Sequence, residues 1–205
     1  ETLKAKRIII ATGTTPNNTG ATGEKELRGK GISYCATCDA KYYDNKEVLV
    51  IGGGNSAVEE SEFISRFASK VTIIHQFDKL TANRQAQEKI FKNPKVTFLY
   101  DNEPREFRKE GDRIVTITEN IKTGVRSSLE SDGVFIFIGM KPNTDLFKQK
   151  LEMDKWGFIK ADEDMRTNIR GVYAVGDVIS KKYRQITTAV ADGTIAAMAI
   201  AKELE

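Results

Sequence analysis

Two thiols and a carboxylate stand together in Cys35-Ala36-Thr37-Cys38-Asp39. At this spacing the sulfurs can close a small disulfide with little loop entropy to lose, and one thiol of such a pair commonly has a depressed pKa that makes a thiolate available near neutral pH. Disulfide exchange also moves a proton to or from the leaving sulfur, which Asp39 is placed to accept or donate. Two other readings stay open at this point. Zinc would have to recruit carboxylates, because the chain has one His and no further Cys, and the two thiols can also be structural only. No metal is expected.

A second group is Gly52-Gly53-Gly54-Asn55-Ser56-Ala57, a G-x-G-x-x-G/A pattern lying between an apolar run and a helical one. Gly52 makes the turn, Gly54 lets the backbone approach a pyrophosphate, and Ala57 lets helix and strand pack closely, while Asn55 and Ser56 open a helix whose free N–H groups suit an anion. The residue that reads an adenosine ribose normally lies about twenty positions on. Here that place is held by His75-Gln76-Phe77-Asp78, which offers neither a clear acid for a 2′-hydroxyl nor a basic cluster for a 2′-phosphate. His75 is a candidate contact or simply a polar strand end. A third group is Gly176-Asp177, followed by Arg184. Asp177 can accept from ligand hydroxyls and Arg184 can donate to an electron-rich group, unless the Asp only caps a turn.

These residues need a scaffold. Arg7–Gly13, Glu47–Ile51 and Val71–His75 read as buried strands, and Ser56–Ser69 as a helix, so residues 47–75 form a βαβ unit with a right-handed crossover. Thr14–Gly31 reads as a connection. Val96–Tyr100, Glu106–Lys109, Ile114–Ile117 and Val125–Leu129 alternate with period two and are expected to form an antiparallel meander. Gly133–Gly139 and Val172–Val175 repeat the apolar-run-then-Gly character of the opening strand. A long helix is expected at Thr187–Leu204, with Ile195, Met198 and Ala199 on its inner face.

Composition narrows the class. A chain of 205 residues with 40% hydrophobic content can bury a core. Its 32 basic and 29 acidic side chains leave a net charge of +3, too balanced for a nucleic-acid binder. Without an apolar run of membrane-spanning length or a targeting pattern, no membrane association is expected and a cytoplasmic location is.

In order and interval, IIIATG, CATCD, VLVIGGGNSAVEE, IGMKPNT, GVYAVGD and YRQ closely resemble the low-molecular-weight thioredoxin reductases of bacteria and archaea, pyridine nucleotide-disulfide oxidoreductases. The resemblance covers nearly the whole chain. It implies an α/β flavoprotein with two Rossmann-like, three-layer nucleotide-binding domains, the nicotinamide domain being inserted into the FAD domain. Residues 16–132 match the inserted NAD(P) domain, and residues 1–15 with 133–205 match the C-terminal part of the FAD domain, whose N-terminal part has no counterpart here. By position, Cys38 faces the flavin, Cys35 attacks the partner's disulfide and Asp39 is the acid. Asp177 to Ile186, including Arg184 and Gln185, lines the flavin together with Gly176, and Thr12-Gly13 approaches it. Electrons would run from a nicotinamide to FAD, to the Cys35–Cys38 pair, then to a thioredoxin-like protein. Connections near Gly13 and Gly133 would be hinges, and the complete protein would be a homodimer.

Three departures qualify the match. Without the missing part of the FAD domain, FAD binding to this chain is expected to be weak or absent. The family's NADPH enzymes carry arginines where Gln76, Phe77 and Thr81 stand, so NADPH is not expected to be favoured over NADH. Ala40 and Lys41 follow Asp39 where Gly is usual. Related readings are an enzyme using ferredoxin as donor or a peroxiredoxin system as acceptor, and a redox-sensing module without turnover.

Overall fold

The apolar run Glu47–Ile51 is the middle strand of a five-stranded parallel sheet in the computed structural model, which describes residues 3–205. Its neighbours are Gly133–Ile136 on one side, with Ile32–Ser33 beyond, and Lys70–Ile74 on the other, with Val96–Leu99 beyond. Successive side chains point to opposite faces. Val48, Val50, Val71 and Ile73 therefore pack under the helix Asn55–Ile64. Leu49, Ile51, Ile74, Val134 and Ile136 pack with Phe107 and Ile114 of a three-stranded antiparallel sheet. That sheet comprises Asn102–Glu110, Arg113–Asn120 and Arg126–Ser131. With both faces covered, an unbroken apolar run is what the central strand requires.

Chain tracing separates residues 17–139, which hold this three-layer assembly, from a second unit made of residues 3–16 and 140–205. The second unit pairs Ile8–Ile10 in parallel with Val172–Ala174, and Thr14–Pro16 antiparallel with Met140–Pro142. Its core gathers Ile10, Ile159, Tyr173, Val178, Ala196 and Ala199. The helix Ile186–Leu204 closes the chain. Glu1 and Thr2, expected in this unit, lie outside the described residues.

Several expectations need correction. The crossing after the inserted unit falls between Gly139 and Met140, not at Asp132/Gly133, because Gly133–Ile136 pairs in register with Val48–Ile51. The earlier crossing is at Pro16/Asn17, one residue beyond the expected boundary. Val96–Leu99 is the parallel edge strand rather than part of the meander. The supposed connection from Thr14 contains a strand, Thr14–Pro16, and a helical turn, Glu24–Leu27. The helix Arg84–Ile90, capped by the Asn83 side chain accepting from the Ala86 N–H at 2.9 Å, was not foreseen. On the last helix Ala199 is buried as expected, but with Asp192 and Ala196, while Ile195 and Met198 are exposed. The opening strand buries only Ile10, since Ile8 and Ile9 face solvent.

Candidate functional site

The Cys pair sits where the strand Ile32–Ser33 runs into the short helix Ala36–Asp39. Cys35 and Cys38 are joined as a disulfide. The Cys35 sulfur also caps the helix, accepting from the Cys38 N–H at 3.2 Å. Cys38 is exposed and Cys35 is half-buried, so the bond is open to attack. Asp39 is held by a residue that sequence reasoning did not single out. The Ser33 hydroxyl, buried at 5% exposure, donates to Asp39 Oδ2 at 2.6 Å and accepts from the Cys35 N–H at 3.1 Å. Acid and disulfide backbone thus share one hydroxyl, which fixes where the carboxylate can exchange a proton.

At the carboxyl end of the parallel sheet, the glycine loop opens onto a cavity of about 600 Å³. Gly52, Gly54, Asn55, Ser56 and His75 line it. Ala57 does not: it is fully buried behind the loop and packs helix against strand, as its small size permits. Gly52 has φ +134°, and a side chain there would meet the Phe137 carbonyl oxygen at 2.4 Å. The Asn55 side chain is already engaged, accepting from the Asn83 backbone N–H at 2.6 Å and its side-chain N–H at 3.1 Å. No side chain caps the helix Asn55–Ile64 and no acid lies in its first turn, which leaves its amino end suited to an anion.

His75 is 6% exposed, meets Phe77 edge-on at 5.2 Å, and lies flush against Gly53. Burial lowers its pKa, so the imidazole is held toward its neutral form. Among the described residues its Nε2 has no hydrogen-bond partner. The cavity is completed by groups that the fingerprint alone does not reveal, notably Asn102, Glu103 and Ile138. They reach it because the Asn102 N–H donates to the His75 carbonyl at 3.0 Å and the Phe137 N–H donates to the Ile51 carbonyl at 2.8 Å.

The Gly-Asp group lies in the second unit. Gly176, at φ +76°, donates its N–H to buried Asp192 at 3.0 Å, and Lys181 Nζ meets the same carboxylate oxygen at 2.6 Å. Asp177 Oδ1 is buried without a hydrogen-bond partner among the described residues. Arg184 stacks on Phe158 at 3.9 Å and donates to the carbonyls of Asp177 and Ile179 at 3.2 Å. Two of its five N–H donors are therefore spent on holding the loop. Gln185 and Thr188 form a reciprocal cap on the last helix, and Ile186 beside it is exposed. Thr12 and Gly13 are fastened by Asn143: Thr12 Oγ1 donates to the Asn143 carbonyl, Asn143 Nδ2 donates to the Thr12 carbonyl, both at 2.8 Å, and the Asn143 N–H donates to the Gly13 carbonyl at 3.0 Å. Among the described residues no helix is long and apolar enough to cross a membrane.

The sequence profile of the pyridine nucleotide-disulphide oxidoreductases matches residues 1–193. The chain belongs to that family. Thioredoxin reductase of Peptoclostridium acidaminophilum is 46% identical over 208 residues, covering 98% of this chain and 66% of that protein. A Clostridium pasteurianum relative described as a 34.2 kDa protein in rubredoxin operon is 46% identical over 195 residues, or 95% of this chain and 63% of its own. Among solved structures, the thioredoxin reductase of Streptococcus pyogenes MGAS5005 superposes with a TM-score of 0.91 at 41% identity, covering 97% of this chain and 65% of that one. The chain thus spans less than two thirds of these relatives' length.

Proposed function

We propose that this chain is the greater part of a thioredoxin-disulfide reductase, a flavoprotein passing electrons from a reduced nicotinamide through FAD to Cys35–Cys38 and on to a thioredoxin-like protein. The observation that carries this reading is the accessible disulfide with Asp39 tied to it through Ser33. Two orphaned polar atoms suit the two nucleotides. His75 Nε2, beside the glycine loop, fits a dinucleotide, and Asp177 Oδ1 fits a flavin hydroxyl. Gly52, Gly54, Ser56 and His75 would hold the nicotinamide coenzyme, and Gly176, Asp177 and Thr12-Gly13 would contribute to FAD. FAD, when bound, supplies a two-electron carrier between the coenzyme and the disulfide.

The remaining chemistry belongs to the chain. Two electrons and two protons convert the Cys35–Cys38 disulfide into two thiols, with Asp39 moving a proton at the sulfur that leaves. The Cys35 thiolate then attacks the partner's disulfide and forms a mixed disulfide. Cys38 displaces the partner as a dithiol and re-forms the Cys35–Cys38 bond. A homodimer in the cytoplasm completes the proposal. Relatives and solved structures named as thioredoxin reductases support it over ferredoxin-dependent, peroxiredoxin-linked or merely sensing variants.

The test is reduction of thioredoxin by NADH or NADPH with the complete, FAD-loaded enzyme that contains this chain, read as new thiols. Activity lost in both Cys35→Ser and Cys38→Ser supports the reading. Retention in either variant overturns it.

A further inference from the structure

The cavity of the inserted unit has an uneven charge distribution. Glu103 is the one formally charged side chain lining it among the described residues. No Lys or Arg lines it. The Asp101 N–H donates to the Phe77 carbonyl at 3.1 Å and the Asn102 N–H to the His75 carbonyl at 3.0 Å, which sets Glu103 beside the turn after the strand Lys70–Ile74. In a fold of this type that turn faces the adenosine ribose. Gln76, Phe77 and Thr81, neutral and also lining the cavity, occupy the rest of the turn. Phe77 is 47% exposed and presents an apolar ring there.

The nearby cations are all paired, Arg105 with Glu103 itself. Arg105 meets Glu103 at 2.9 Å and Glu119 at 3.2 Å, and Glu119 also binds Arg126 at 2.9 Å. Lys122 pairs with Asp101 at 2.9 Å. Glu103 is the member of this network that reaches the cavity. With Arg105 shared between Glu103 and Glu119 and no cation lining the cavity, the Glu103 carboxylate is the group placed to accept from a ribose hydroxyl and to repel a phosphate.

We propose that Glu103 is a specificity-determining residue that makes the cavity select a coenzyme with an unphosphorylated adenosine ribose, NADH, and reject its 2′-phosphorylated counterpart. This rests on the reading of the cavity as a dinucleotide site, and goes beyond the absence of a phosphate clamp by assigning the rejection to a named side chain. Phe77 offers its ring to the base, a contact indifferent to the phosphate.

The test is calorimetric titration of the 205-residue chain with 5′-AMP and with 2′,5′-ADP. At low salt the chain should bind 5′-AMP about tenfold more tightly than 2′,5′-ADP, with the gap narrowing as salt screens the repulsion. Glu103→Gln should move the ratio of the two affinities about tenfold toward 2′,5′-ADP, with an unaltered circular-dichroism melt reporting the fold. Preference for 2′,5′-ADP in the unaltered chain, a gap insensitive to salt, or an unchanged ratio in Glu103→Gln overturns the proposal while leaving the dinucleotide reading intact. Binding of neither nucleotide overturns both.

Discussion

Gly53→Ala tests how tightly the glycine loop is built against His75. An added Cβ would lie 2.4 Å from His75 Cγ and 2.5 Å from Cδ2 and Nδ1. Ordinary contact needs about 1 Å more, and the ring cannot swing freely away because it is buried against Phe77. Overpacking of this kind costs about 1–3 kcal/mol. Gly54→Ala is the internal control: its Cβ would meet nothing nearer than Thr81 Oγ1 at 3.8 Å. Unfolding in urea should be followed by circular dichroism, because Trp156 fluorescence reports the other unit. The expected result is a clear loss for Gly53→Ala and a change within about 0.5 kcal/mol for Gly54→Ala. His75→Ala should remove most of the Gly53→Ala penalty in the double variant, a coupling of about 1–2 kcal/mol. Equal losses at the two glycines, or strict additivity with His75→Ala, would refute the reasoning.

Two further outcomes follow from the same geometry. Ser33→Ala removes the 2.6 Å donor to Asp39, a hydrogen bond of the charged class that contributes about 1.5–3 kcal/mol; it should slow thiol transfer from the reduced chain to thioredoxin about tenfold or more, and an unchanged stopped-flow rate would show that Asp39 needs no such support. His75 also sets a pH dependence. Above its ordinary pKa near 6.5 the imidazole is neutral in both states and adds no slope. Below that, the unfolded chain takes up a proton that the folded chain resists, so stability falls with pH until the lowered folded pKa is reached. Urea midpoints at pH 7.5 and 5.5 should show this loss in the parent chain and less of it in His75→Asn; identical pH dependence would show that burial does not hold the ring neutral.

The glycine turn and Cys pair were legible because their chemistry is local: a strand ends, a helix begins, and the spacing of a few residues is the signal. Topology was less legible. Gly133–Gly139 looks like the opening run of the chain, and only its register with Val48–Ile51 assigns it to the inserted unit. Val96–Leu99 alternates like its antiparallel successors, yet its partner is the parallel strand Lys70–Ile74. Glu103 gave no signal, because what brings it to the cavity is backbone pairing between Asn102 and His75. The last helix misled for a different reason. Ile195 and Met198 lie outside, while the small Ala196 and Ala199, with Ile200 partly buried beside them, pack inside.

The proposal centres on Cys35 as the sulfur that passes reducing equivalents outward. Its most direct test mixes the Cys38→Ser chain, reduced and freed of reductant, with oxidised thioredoxin and identifies the adduct by intact and peptide mass spectrometry. The proposed mechanism predicts a stable mixed disulfide at Cys35, which the missing second thiol cannot resolve. No adduct at Cys35, or an equally abundant adduct through Cys38 in the Cys35→Ser chain, would contradict it.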